Sequence, residues 1–224
     1  MKKIKTKHYY FLFLLLFTLQ AYGKEKAASF PPELLEIQKR YETSKGLLTE
    51  FEQTAFSALM KTEKKSSGVI SILMPNQVRW EVQAPNPSIF ISDGKKFLYY
   101  TPPFAPGGNG QLLVKKASDH QSKLMTALLT GSFKNSSDWS VKKVKDQEFE
   151  VLPKEGAAGD IQKAFLVINK SEKRIDSIRL THRNGNRTEI RFKKFAFGKD
   201  KVNLSMFKFK APPHTDIVEE KTLR

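Results

Sequence analysis

The sequence predicts a mainly β (α+β) fold, a strongly curved antiparallel sheet with a few short helices packed against one of its faces. Three observations carry this. Apolar and polar residues alternate with a period of two in most segments after Leu47, as a sheet with one wet face requires. Two Xaa-Gly turns, Asp93-Gly94 and Asn184-Gly185, separate paired runs of this kind, and such turns tolerate the positive φ of a tight hairpin. The 3.6-residue period of a helix occurs in only two places. The first is near the start, where Ser29 is the expected cap and Pro31 and Pro32 suit a first turn. Leu34, Ile37 and Tyr41 then recur at helical spacing, with Gly46 as the expected stop.

Strands follow over residues 69–74 and in Val78-Arg79-Trp80-Glu81-Val82-Gln83, where odd and even positions differ in character. Asp93-Gly94 joins residues 88–92 to 97–100. Between Ser118 and Gly131, the stripe Leu124, Met125, Leu128 and Leu129 predicts a second, short amphipathic helix ended by the glycine. Asn184-Gly185 joins residues 175–180 to 188–192, and Phe207-Lys208-Phe209-Lys210 alternates as a last strand. Arg79, Arg191, Lys193, Lys208 and Lys210 fall on the parity opposite to the large apolar residues. They are expected to coat a convex, wet side.

Composition narrows the function. The 224 residues carry 39 basic and 23 acidic side chains, a formal charge of +16, and their number suits one domain with one core. There is no cysteine, so disulfides, thiolate nucleophiles, iron–sulfur clusters and a lipidated N-terminal cysteine are not expected. Lys2, Lys3, Lys5 and Lys7 precede an apolar stretch over residues 9–19, followed by Ala21-Tyr22-Gly23. That stretch is well short of the roughly 20 apolar residues that cross a membrane, and the arrangement reads as a secretory signal over 1–23, cleaved after Gly23. Residues 24–224 are then expected to form a single exported domain. Export makes nucleic acid a poor partner for the basic charge, and anionic membrane surfaces or acidic proteins fit better.

No reaction chemistry assembles. The histidines after the signal, His120, His182 and His214, lack ligand spacing, so no metal is expected. There is no G-x-S-x-G or H-E-x-x-H, and the Gly107-Gly108-Asn109-Gly110 run follows a proline-studded loop rather than a strand. Carboxylates are not paired on one face. Neither an enzyme nor a cofactor is expected. What the chain has in excess is apolar material, 17 phenylalanines among it, more than a few helices can cover.

Four ordered segments resemble the periplasmic outer-membrane lipoprotein carrier family, LolA. Phe51-Glu52-Gln53 is similar to its F-x-Q, and Pro75-Asn76-Gln77-Val78-Arg79-Trp80-Glu81, with Pro85 beyond, to its R-P-N-x-F-x-W. Ile91-Ser92-Asp93-Gly94-Lys95 through Tyr100-Thr101-Pro102 resembles its S-D-G-K hairpin. Phe207-Lys208-Phe209-Lys210-Ala211-Pro212-Pro213 resembles its closing F-x-F-x-P-P. Between them lie Leu128-Leu129 and Phe149-Glu150-Val151-Leu152-Pro153-Lys154.

The resemblance implies an incomplete antiparallel barrel of about eleven strands with a helical lid over its concave apolar face. It implies acylated lipoproteins as cargo, taken from an inner-membrane ABC transporter to an outer-membrane receptor, LolB, or to the outer membrane directly, by a monomer. On this reading Ile70, Ile72, Met74, Val78, Trp80, Val82 and Phe90 line the acyl-chain cavity, and Leu34, Ile37, Leu124 and Leu128 belong to the lid. The family commonly has Arg where this chain has Met74, so a lid held by apolar packing is expected here. Ala58-Leu59-Met60 is expected at the tip of the first hairpin, with Leu59 and Met60 either packed in the turn or touching a membrane or partner. Two other functions suit the same half-barrel, a carrier of other lipids or glycolipids and a periplasmic module that senses lipoproteins.

Overall fold

The computed structural model describes residues 30–116, 120–133 and 137–219. The signal segment and Ser29 lie outside them. Helix α1 (Pro32–Ser44) leads into β1 (Gly46–Ser57), β2 (Thr62–Leu73), β3 (Gln77–Ala84), β4 (Ser88–Ser92), β5 (Lys96–Thr101) and β6 (Gly110–Lys116). Helix α2 (His120–Thr130) follows, then β7 (Trp139–Lys145), β8 (Glu148–Pro153), β9 (Ile161–Asn169), β10 (Arg174–His182), β11 (Arg187–Phe197) and β12 (Thr215–Glu219). All twelve strands belong to one open, curved sheet in the order β12-β6-β5-β4-β3-β2-β1-β11-β10-β9-β8-β7. Neighbours are antiparallel except β12, which runs parallel to β6. Both Xaa-Gly turns join the strand pairs expected of them.

Alternation sorts the side chains by face. Phe51, Ile70, Ile72, Val78, Leu166, Ile178 and Ile190 fall on the concave side and join one core with Leu34, Ile37 and Tyr41 of α1 and Leu124 and Leu128 of α2. Helix α1 ends at Ser44, and its left-handed cap is Lys45, φ 60°, one residue before the expected glycine. Gly46 is needed for another reason, since a Cβ there would stand 2.5 Å from the Gly198 carbonyl oxygen.

The largest departure concerns the C-terminal segment. Phe207-Lys208-Phe209-Lys210 is not a strand: a 3-10 turn (Leu204–Phe207) leads into an extended strap. The strap crosses the convex back of the sheet, where Phe207 and Val202 pack with Leu73 and Ile91, and Met206 and Phe209 border them. The Phe209 and Tyr100 rings lie 5.1 Å apart. Alternation arises here because one side of the strap is buried, and Pro212 and Pro213 cannot donate to a ladder. Arg79 is therefore not a free solubilising residue. It pairs with Glu81 at 2.7 Å and donates to the Met206 carbonyl under the strap. Arg191 and Lys193 keep the exposed convex position, beside Glu189 and Glu52, and Lys208 and Lys210 are exposed on the strap.

Candidate functional site

The register of β3, β4 and β5 sets Trp80 opposite Phe90 and Phe90 opposite Tyr99. Three rings thus stand side by side across three strands, on the concave face. Val78 and Val82 flank Trp80 at the two-residue spacing of one strand face, and Val82 faces Ser88. Helix α2 covers this row with Met125 and Leu129, one turn apart on a single stripe, and with Thr126 between them. Between helix and sheet lies an open cleft of about 350 Å³, closed at its side by Gln53 of β1. Among the described residues, no acidic or basic side chain lines it.

Packing behind the row holds it in place. The Trp80 ring meets Phe51 edge-on at 4.8 Å, and Phe51 is itself buried. Room for that pair depends on Gly68, where a Cβ would stand 1.9 Å from the Glu81 carbonyl oxygen and 3.0 Å from the Phe51 ring. Phe90 stacks on Phe97 at 5.5 Å.

The two helices are fastened differently. Helix α1 buries Leu34, Ile37 and Tyr41, and the Ile175 amide donates to the Tyr41 hydroxyl at 3.0 Å. Burial pushes that phenol up to about 12, outweighing the opposite pull of the backbone hydrogen bond. Lys143 of β7 donates to Glu33 at 2.7 Å, Lys173 pairs with Glu36 at 3.2 Å, and the Arg40 guanidinium lies 4.0 Å above the Phe197 ring. The Lys143 hydrogen bond holds the Glu33 carboxyl below the usual carboxylate range. Helix α2 sits on the core through Leu124, Ala127 and Leu128 and ends at Gly131 (φ 70°), against Ile37 and Gln38 of α1.

Of the residues expected to line a cavity, Val78, Trp80, Val82 and Phe90 stand on the cleft. Ile70 and Ile72 do not, being closed into packed core at 0% and 1% exposure. Met74 lies past the end of β2, half-buried against that core, with its amide donating to the Lys45 carbonyl. Leu34, Ile37, Leu124 and Leu128 anchor the helices, while the α2 residues on the cleft are Met125, Thr126 and Leu129. Sequence reasoning passed over Gln53, Ser88 and Tyr99. The signal for the first two was available, as polar residues on the otherwise apolar parity of their strands. Leu59 and Met60 stand at the tip of the β1–β2 turn and are 91% and 61% exposed, not packed in it. No three described His, Asp or Glu residues group closely enough to hold a metal ion.

A curved open sheet with an open, ring-lined cleft under a short helix describes a class of half-barrel whose cleft suits apolar ligands. Comparison with known proteins narrows the class. The sequence model described as "Outer membrane lipoprotein carrier protein LolA" matches residues 42–210, and the chain belongs to that family. An outer-membrane lipoprotein carrier protein of Dechloromonas aromatica is 29% identical over 178 residues, covering 78% of this chain and 81% of its own. One of Aliivibrio salmonicida is 27% identical over 188 residues, covering 83% and 89%. Among solved structures, a LolA-superfamily protein from Nitrosomonas europaea aligns over 80% of this chain and 96% of its own, at 10% identity and a TM-score of 0.42.

Proposed function

We propose that this chain is exported, cleaved after Gly23, and works in the periplasm as a non-enzymatic carrier whose cleft holds the acyl chains of lipoproteins. It takes them from a lipoprotein-releasing ABC transporter of the inner membrane. It hands them to a LolB receptor at the outer membrane or to that membrane directly. The observation that carries this reading is the row Trp80, Phe90 and Tyr99, with Val78 and Val82, lining the open cleft beneath α2. Flat rings, with no charged side chain among the described lining residues, suit a ligand held mainly by area and shape.

Magnitudes favour a lid that competes with cargo. Each buried methylene is worth about 0.8 kcal/mol, so a permanently open trough of this kind would bind and not release. Lifting of α2, which carries Met125 and Leu129 on one wall of the cleft, would widen it for cargo and close it again on release. The closed state then lowers apparent affinity by the fraction of open molecules, and with Met74 in place of Arg, closure rests on apolar packing.

The test is a release assay with spheroplasts making a labelled outer-membrane lipoprotein. Label appearing in solution bound to the protein is expected, and so is its loss in Val82→Asp. That variant leaves the Phe51–Trp80 contact intact, whereas Trp80→Asp removes a ring on which the core leans. A folded wild-type protein that releases nothing overturns the lipoprotein reading, and identification of co-purified lipid then decides among other cargoes.

A further inference from the structure

Strand directions place several turns at one end of the sheet: β1–β2 (58–61), β3–β4 (85–87), β5–β6 (102–109) and β10–β11 (183–186). Two of them carry the most exposed large apolar side chains among the described residues. Leu59 is 91% exposed on the first, with Met60 beside it, and Phe104 is fully exposed on the third. The turns at the opposite end, 74–76, 93–95, 146–147 and 170–173, carry no such side chain.

The β1–β2 hairpin also projects. The last β3 residue, Ala84, faces Ser67, so residues 62–66 run past the end of β3 by about 17 Å at ~3.4 Å per residue. The β3–β4 turn thus lies recessed beside the Leu59 hairpin, with the Phe104 loop on its other side along the sheet. Directly below it stand Val82 and Ser88, at the upper end of the cleft, with Tyr99 one strand away. Around the projecting hairpin lie exposed Lys61, Lys64, Lys65, Arg183 and Arg187, with Glu63 as the nearest acid along the strand.

From this arrangement we infer that this end of the half-barrel is a docking surface for an anionic phospholipid bilayer, with Leu59, Met60 and Phe104 as its inserting side chains. Two isolated apolar points on separate turns, about four strand spacings or ~19 Å apart along the sheet, suit a deformable apolar medium better than a rigid protein surface. A protein partner needs a matched pocket for each. The basic residues complement lipid phosphates and draw the protein to the surface, and the tips then supply apolar burial. The consequence for function rests on the carrier reading: a cleft opening between the inserted tips unloads acyl chains into the bilayer that the tips enter.

The test is flotation of the protein, purified from cells that export it, with vesicles of phosphatidylglycerol and phosphatidylethanolamine or of phosphatidylcholine alone. Flotation with the anionic vesicles is expected, weaker at high salt and at least about tenfold weaker on phosphatidylcholine. Leu59→Asp with Met60→Asp, and Phe104→Asp, are each expected to lower partition about tenfold. Their exposure leaves folding intact, which thermal melts check. Leu59→Trp and Phe104→Trp report insertion directly, through a blue shift on anionic vesicles that the wild-type tryptophans do not show. Absence of wild-type flotation overturns the inference, as does flotation that depends on salt but not on the tips, or a missing blue shift. Fatty-acid probe binding in the same variants separates the two readings. Tip variants leave it unchanged, and its absence in the wild type counts against the carrier function while leaving the bilayer surface standing.

Discussion

The concave face has two halves made by the same alternation and filled in opposite ways. On the α1 side, β8 to β11 present Phe149, Val151, Ala164, Leu166, Ile178 and Ile190, none more than 1% exposed. On the α2 side, β3 to β5 present Trp80, Val82, Phe90 and Tyr99, all partly open around a cleft. Mostly aliphatic side chains from two layers, with Phe149 among them, interdigitate at crystal-like density. Three rings in a row, with Ser88 and Gln53 at their margin, leave a gap that one short helix does not close. Hydrophobic patterning thus decides which face is buried, and side-chain shape decides whether burial leaves a core or a container.

The sharpest way to break this contrast is to cut both halves and compare. Leu166→Ala, at 0% exposure on the packed side, is expected to cost about 2–5 kcal/mol of stability, the usual range for a cavity in a close-packed core. Fatty-acid probe affinity should stay within about twofold of wild type, as read by denaturant melts and probe titration. Val82→Asp should do the reverse. Its site is already half open, so stability should fall by no more than about 1 kcal/mol, while probe affinity drops tenfold or more as a charge enters an apolar cleft. If Leu166→Ala abolishes binding while the protein remains folded, the two halves are one unit and the comparison fails.

Much of this division was legible beforehand. Period-two segments, the two Xaa-Gly turns and both helices were in the sequence, and they fix the sheet and the side on which Trp80 and Val82 lie. Which apolar positions stay uncovered was not. Ile70 and Trp80 face each other across β2 and β3, yet one is sealed and the other open, because burial depends on where α2 comes to rest. The strap at Phe207 and Phe209 was misread for a related reason. Alternation reports one buried side and not the partner that buries it, so a strap on the convex back and a strand in the sheet look alike. The parallel β12 was equally hidden, since its five residues pair with β6, about a hundred positions earlier.

Lid closure is the next test of the open half. Met74→Arg places donors beside the α1–β1 junction, where the Lys45 carbonyl already accepts from the residue 74 amide. Pinning the closed state reduces the competent fraction, and apparent probe affinity falls in proportion. A decrease of about three- to tenfold is expected, for a bias of about 1 kcal/mol toward closure, with little change in melting temperature. Unchanged or tighter binding would falsify a lid held shut by packing alone.

The smallest effect concerns the fastening of α1, and it tests whether that side is as rigid as its packing suggests. Lys143 holds the Glu33 carboxyl below its ordinary value, so the folded state binds this proton less readily than the unfolded chain does. The pair therefore contributes stability at and above the ordinary carboxylate range, and the contribution fades as pH falls through the lowered folded value. Glu33→Gln removes it. The variant should melt at most about 3 °C below wild type at neutral pH, as befits a partly solvated ion pair in a protein of this size. The two curves should converge only once pH has fallen below the lowered folded value, where the wild-type carboxyl is protonated. Probe affinity should not follow the difference, because the fastened helix lies outside the cleft. If it does follow, α1 is part of the moving lid, and the packed half lends its stability to the control of the open one.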